Sequence, residues 1–312
     1  MRLIVCFIFA GMLAKPCAAQ AVSPLDVCTI LEGPLRLSGT LIAVRGIARS
    51  ANGLTVGSDT CPTRIVLDKV AFRNEIAIEE ATGGDVPFIA DKTSFADLSA
   101  ALAKLNPASQ YVSATFVGVF ETREPLRDLV AGHGLTNGYG YMGRSPGQLI
   151  LREVRDILVA AKPPAPQIHS VCELLADPLS FDGKLVAVKG SLRAYQGWWL
   201  YDDQCQSKFT VQGHSFENLI TVTSPTDLVR VHDVPFDTDD DSVALVAKAF
   251  GGNTSTQPRV LATFVGVFET REELNLVSRN GASRGFGHLG AAPAQLLLRE
   301  CREVTTEYVP FR

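Results

Sequence analysis

The sequence lacks the residue patterns that most hydrolases and metalloproteins require. It holds no G-x-S-x-G nucleophile elbow, and its five histidines, His133, His169, His214, His232 and His288, are scattered without the paired spacing of a zinc site. Asp237, Asp239, Asp240 and Asp241 cluster, yet the glycine and glutamate that an EF-hand loop places after its acidic residues are missing. That cluster reads as a solvated acidic turn capping a helix. No metal and no cofactor is expected. Basic residues are not in excess either, which disfavours a nucleic-acid partner bound through counterion release.

Long apolar runs are absent after Leu13, so nothing later is fit to cross a bilayer as a helix. At the start, Arg2 leads an apolar stretch from Leu3 to Leu13, and Ala18, Ala19 and Ala21 follow. This is the grammar of a secretory signal peptide over residues 1–21, removed after Ala19 or Ala21. Lys15 and Pro16 ahead of Cys17 spoil a lipobox. Losing Arg2 and Lys15 takes the 29 basic residues to 27, against 33 acidic ones. The expectation is an acidic protein, periplasmic or secreted.

What the sequence does contain is a duplication. Val27-Cys28 recurs as Val171-Cys172, Leu41 to Gly46 as Leu185 to Gly190, and Cys61 as Cys205, all 144 positions later. Ala114 to Glu124 recurs identically as Ala262 to Glu272, and Gln148 to Glu153 recurs as Gln295 to Glu300 with one change. Two domains are expected, at 22–158 and 169–312, joined by a proline-rich strut over 159–168 that holds them apart as separate beads. The equal separations of Cys28 from Cys61 and of Cys172 from Cys205 predict one disulfide per domain in an oxidising compartment. Cys301 has no counterpart and is expected as a buried free thiol.

Each unit reads as three strands, a helix and two strands. Thr40 to Ala48 and Leu54 to Val56 make the first two strands, and Arg64 to Ile78 an interrupted third. Thr93 or Ser94 caps a helix bearing Phe95, Leu98, Leu102 and Leu105 on one face; Asp241 caps its counterpart, which bears Val243, Val246 and Phe250. Thr115 to Phe120 is apolar on both faces with a central glycine, as a coiled barrel strand would be, and Gln148 to Val154 closes the unit. The order is that of a mainly β, five-stranded OB-type barrel. The stretch Phe181-Asp182-Gly183-Lys184-Leu185-Val186-Ala187-Val188-Lys189-Gly190 resembles the opening of OB-like domains in exported bacterial proteins. That resemblance implies a binding platform on strands two and three and on the loops joining strands one to two and four to five.

Candidate contacts follow from that platform. Gly138 to Gly143 and Gly285 to Gly290 both spell G-x-G-x-x-G, but a proline and a strand follow where a dinucleotide site needs a helix, so these are glycine-rich loops. Their aromatics, Tyr139 and Tyr141 in copy one and Phe286 and His288 in copy two, either stack on a ligand or pack down on the barrel. Trp198, Trp199 and Tyr201 occupy the second strand of copy two, where successive residues face opposite ways, so one tryptophan belongs to the core and the other is a candidate platform. The repeated Glu121, Arg123, Glu124 and Glu269, Arg271, Glu272 form either a charged site or an edge salt-bridge cluster. Three readings of function stay open: a non-enzymatic exported module binding an envelope component, glycan or protein; a structural or accessory envelope protein; and a hydrolase-type enzyme using the repeated Glu and Arg residues.

Overall fold

The computed structural model describes residues 23–310 except 52, 59–60, 62–64, 68–69, 82–87, 132–134, 206–207, 224–229, 232–233, 236–237 and 252–255. The signal segment, His133, His232 and Asp237 lie outside the described residues. Barrel one is built from β1 (Thr40–Arg49), β2 (Thr55–Gly57), β3 (Glu75–Glu80), β4 (Gln110–Glu121) and β5 (Gln148–Ala161). Barrel two uses β6 (Leu185–Ala194), β7 (Trp198–Tyr201), β8 (Leu219–Thr223), β9 (Thr256–Glu269) and β10 (Ala294–Pro310). In the first, neighbours run β1-β2-β3-β5-β4 and β4 pairs back onto β1, closing the sheet; the second repeats that order. Only β3 with β5, and β8 with β10, pair in parallel among these ladders. Two closed, mixed, five-stranded barrels of OB-like topology therefore stand in tandem.

Helix α1 (Val27–Glu32) precedes β1, and α2 (Lys92–Ala103) lies between β3 and β4; α3 (Val171–Ala176), α4 (Pro178–Phe181) and α5 (Asp240–Phe250) take the matching places in copy two. Leu98 and Val246 are buried, and Phe95, Leu102, Val243 and Phe250 pack beside them against the cores, as the helical spacing predicted. The caps differ from expectation. Asp91 and Asp239, not Thr93 or Asp241, accept from the first-turn amides. The serine three positions on does a second job: Ser94 Oγ accepts from the Val154 amide and Ser242 Oγ from the Cys301 amide, tying each helix start to the last strand.

Alternation along the strands supplies the cores. Val44, Ile76, Phe116, Phe120 and Leu149 fill barrel one, and Val188, Ile220, Phe264, Phe268 and Leu296 fill barrel two. Disulfides join Cys28 to Cys61 and Cys172 to Cys205. Each closes a loop whose entropy in the unfolded chain is worth about 4 kcal/mol. Cys301 is free and buried, and burial pushes its thiol far above the ordinary range, so it is held protonated.

Two strand boundaries move. The expected third strand divides into a small hairpin, Val66–Leu67 with Val70–Ala71, and then β3. The expected last strand, Gln148 to Val154, runs on to Ala161 because it continues to pair with Gln110 to Ser113 after leaving the barrel. Leu158 and Val159 in that extension are exposed, so no buried face marked it in the sequence. The strand thus takes the first three residues of the expected strut, and the next pairing begins at Ile168.

The barrels are also not held apart. The acidic turn at the start of α5 docks on barrel one instead of facing solvent. Asp239 pairs with Lys162, which also reaches Glu300 at 3.5 Å. Asp240 grips the Arg73 guanidinium through both oxygens. Asp241 accepts from the Ser50 amide at 3.1 Å. Arg302 donates to the Pro163 carbonyl. Partners 77 to 191 residues distant were invisible to a local reading of the aspartates.

Burial raises the Asp241 carboxyl above the ordinary value, with the Ser50 amide opposing. An acid whose folded-state value is raised costs stability when ionised, and that cost is relieved as the pH falls through the raised value. Docking is expected to strengthen as the pH falls from neutrality through that range. Asp241→Asn, which keeps the acceptor for Ser50, should abolish this part of the pH profile in thermal unfolding. An unchanged profile in the variant would assign the dependence to other groups.

Candidate functional site

The outer face of the second and third strands, where OB barrels commonly bind, is covered in both copies by the barrel's own glycine-rich loop. Trp199 points outward as one of the two alternating tryptophans, but it is only 6% exposed. It packs with Leu219, Phe286, Ala291 and Ala292, and its indole N–H donates to the Tyr195 carbonyl. Gly287 lies across it at φ +70°, and any Cβ there would meet the indole at 2.6 Å. Trp198 faces the core side, 6.1 Å from the Phe250 ring. In barrel one Gly140 crosses Ala77 in the same manner.

The identical E-T-R-E segments account for this cover. Thr122 and Thr270 hydroxyls donate to the Pro146 and Pro293 carbonyls at the loop exits. Arg123 donates to the Asn137 carbonyl and stands over the Tyr139 ring at 5.3 Å. Arg271 donates to the Arg284 carbonyl and stands over Phe286 at 4.6 Å. Glu121 and Glu269 accept from Gln148 and Gln295 on the last strands. Glu121, Arg123, Glu269 and Arg271 are thus loop fasteners: each binds its own loop or the adjacent strand. Tyr139 is held within the cover, and burial raises its phenol. At the loop tips, Tyr141 is 54% exposed, beside the Arg73–Asp240 pair, and its counterpart His288 is exposed next to an 83% exposed Leu289.

Of the expected contact residues, Tyr201 lines a large open concavity. A groove of about 690 Å³ runs along barrel two between β6, β7, β9 and β10. Lys189, Ser191, Tyr201, Asp203, Arg259 and Glu303 are among its walls. The Arg193 guanidinium stands 5.1 Å from the Tyr201 ring centre and 3.7 Å from Asp203, and Arg259 also pairs with Asp203. Two polar atoms in the wall have no partner. Ser191 is 2% exposed and its hydroxyl makes no hydrogen bond, and the buried Nε of Arg259 donates to nothing. Leaving a buried polar group unpaired costs about 1–3 kcal/mol; Asn74 Oδ1 and Arg302 Nε are unpaired in the same way outside this groove.

Barrel one has the same face, and there it is filled. Positions 47 and 111, which correspond to Ser191 and Arg259, are isoleucine and tyrosine. They line a smaller cavity of about 320 Å³ whose far wall is Asp239, Asp241 and Glu300 of barrel two. The sequence signal that finds the groove is therefore a difference between copies. It is a polar replacement at outward positions where the matching residue is apolar or aromatic.

Cys172, Asp202 and Cys205 bring three ligand-type atoms within 4.8 Å of one another, but the two sulfurs are bonded together and offer no thiolate. Comparison with protein-family models, with curated proteins and with solved structures finds no match to this chain. What fold and site define is a tandem pair of OB-like barrels, one with its lateral face occupied and one with that face open.

Proposed function

We infer that the protein is an exported, non-enzymatic binding module of the cell envelope, and that its binding surface is the open groove of barrel two. The observation that carries this is the unpartnered pair, Ser191 Oγ and Arg259 Nε, in the wall of a groove within the size range of ligand sites. Arg Nε–H only donates, so the ligand must bring hydrogen-bond acceptors there. The filled face of barrel one supports the same reading, since a protein segment bearing carboxylates occupies it. Two disulfides fit an oxidising compartment, and among the described residues no helix is long and apolar enough to cross a membrane. The resemblance of the second copy's opening to OB-like domains of exported bacterial proteins points the same way.

The test is capture from envelope extract by the mature, oxidised protein, with mass spectrometry of the eluate, beside Ser191→Val and Arg259→Met variants of unchanged circular dichroism. Each variant is expected to lose at least about tenfold of the captured material, the effect of one lost charge-assisted bond. Equal capture by wild type and Arg259→Met would move binding away from the groove. A Trp199→Ala variant that alone abolished capture would return it to the covered face.

A further inference from the structure

Duplication gave each barrel both halves of a contact: a docking face on its side and a helix-start turn beside its last strand. Among the described residues only one pair is used within the chain, the turn of barrel two on the face of barrel one. The turn of barrel one and the face of barrel two remain open. Asp91, Lys92 and Thr93 at the start of α2 are exposed, and the groove beside β6 and β9 is empty of protein among the described residues. The two turns have one architecture, each with an aspartate cap and a serine hydroxyl accepting from the last strand at 3.0 Å.

We propose that the occupant of the barrel-two groove is the α2 turn of a second copy of this chain, giving head-to-tail assembly. This rests on the groove being the binding surface and names its partner. The charges at the contact are inverted together. Inside the chain, Asp240 of the turn grips Arg73 of the face. At the matching positions of the open surfaces the turn carries Lys92 and the face carries Glu217. Both are exposed, and neither has an ion pair among the described residues. An acid on a base has become a base on an acid, so the second contact is complementary while each turn is repelled by the wrong face.

The unpartnered donors fit the same occupant. Asp239 and Glu300 line the same cavity as Ile47 and Tyr111, from its opposite wall, and their counterparts in copy one are Asp91 and Glu153. A second copy docked in the same manner sets those two carboxylates facing Ser191 and Arg259 across the groove. Val309 stands where the inner contact has Lys162, so the buried lysine between two acids is not reproduced. The contact between chains is accordingly weaker than the one within. Its surfaces are different on the two partners, so it extends to a filament or closes to a ring.

Sedimentation velocity of the pure mature protein tests this. Association is expected to rise with concentration up to about 1 mM and to weaken with added salt. Lys92→Glu and Glu217→Lys should each weaken it at least about tenfold, and the double variant should recover it. A single monomeric species at every concentration, or single variants without effect, or a double variant without recovery, overturns the proposal. A monomeric protein that still captures a different envelope component through Arg259 would overturn the second copy as occupant and leave the groove as the binding surface. An Arg259→Met variant that changes neither association nor capture would remove both.

Discussion

Alanine at Gly118, or at Gly266 in the second copy, is expected to destabilise its barrel by about 3 kcal/mol or more. The reason is a close approach between strands. An added Cβ at Gly118 would stand 2.2 Å from the Ile150 carbonyl oxygen, and at Gly266 the same distance from that of Leu297. Both obstacles are backbone, in ladders where β4 meets β5 and β9 meets β10 near a shift of register, so neither rotates aside. The fourth strand must bend sharply to serve two neighbours at once, and the glycine is where that bend brings the adjacent strand into contact. A control separates crowding from backbone conformation. Gly39 has φ +74° with nothing within 4 Å of an added Cβ, so Gly39→Ala should cost only about 1 kcal/mol. Denaturant unfolding of the three variants checks the order, and a Gly118→Ala protein as stable as Gly39→Ala would show that the strands separate freely at the bulge.

The parts of this fold that were legible in the sequence are those with a short-range cause. Alternation marked β1 and β2, helical spacing marked the apolar faces of α2 and α5, and one repeated cysteine separation marked both disulfides. Duplication multiplied each signal, because a pattern seen twice in register is hard to produce by accident. The site was much less legible. The tryptophans drew attention as large aromatics on a strand that commonly binds, yet Trp199 is covered by residues almost ninety positions later in the chain. The repeated Glu and Arg residues leave both a charged site and an edge salt-bridge cluster open in the sequence. The targets of Glu121, Arg123, Glu269 and Arg271 are loop and strand groups of their own barrel, fixed by tertiary closure that no local pattern encodes. The groove itself is built from residues that are each unremarkable. Ser191 becomes informative only once its burial leaves the hydroxyl unpaired.

The same limit explains the acidic turn, and it sets up the second large effect. Lys162 follows the last strand of barrel one in what reads as linker, and it is 9% exposed between Asp239 and Glu300 of barrel two. Removing one partner from a buried ion pair leaves the other uncompensated, at about 3–5 kcal/mol. Here the loss is compounded, since Lys162→Met leaves two carboxylates without the cation between them. Arg302, which also pairs with Glu300, keeps that acid partly neutralised, so the variant's main deficit falls on Asp239. Asp239 is also the cap of α5 and donates its amide to the Arg299 carbonyl. Strain placed on it therefore reaches both the helix start and the last strand of barrel two. Lys162→Met is expected to separate the barrels while leaving each one folded. In small-angle scattering the radius of gyration should rise, and thermal unfolding should divide into two transitions. Lys162→Arg, which restores a cation of different reach, should recover part of the contact. If Lys162→Met scatters like the wild type and unfolds at the same temperature, the barrels are held chiefly by the Arg73–Asp240 pair and the Ser50 amide, and Arg73→Met becomes the variant that parts them.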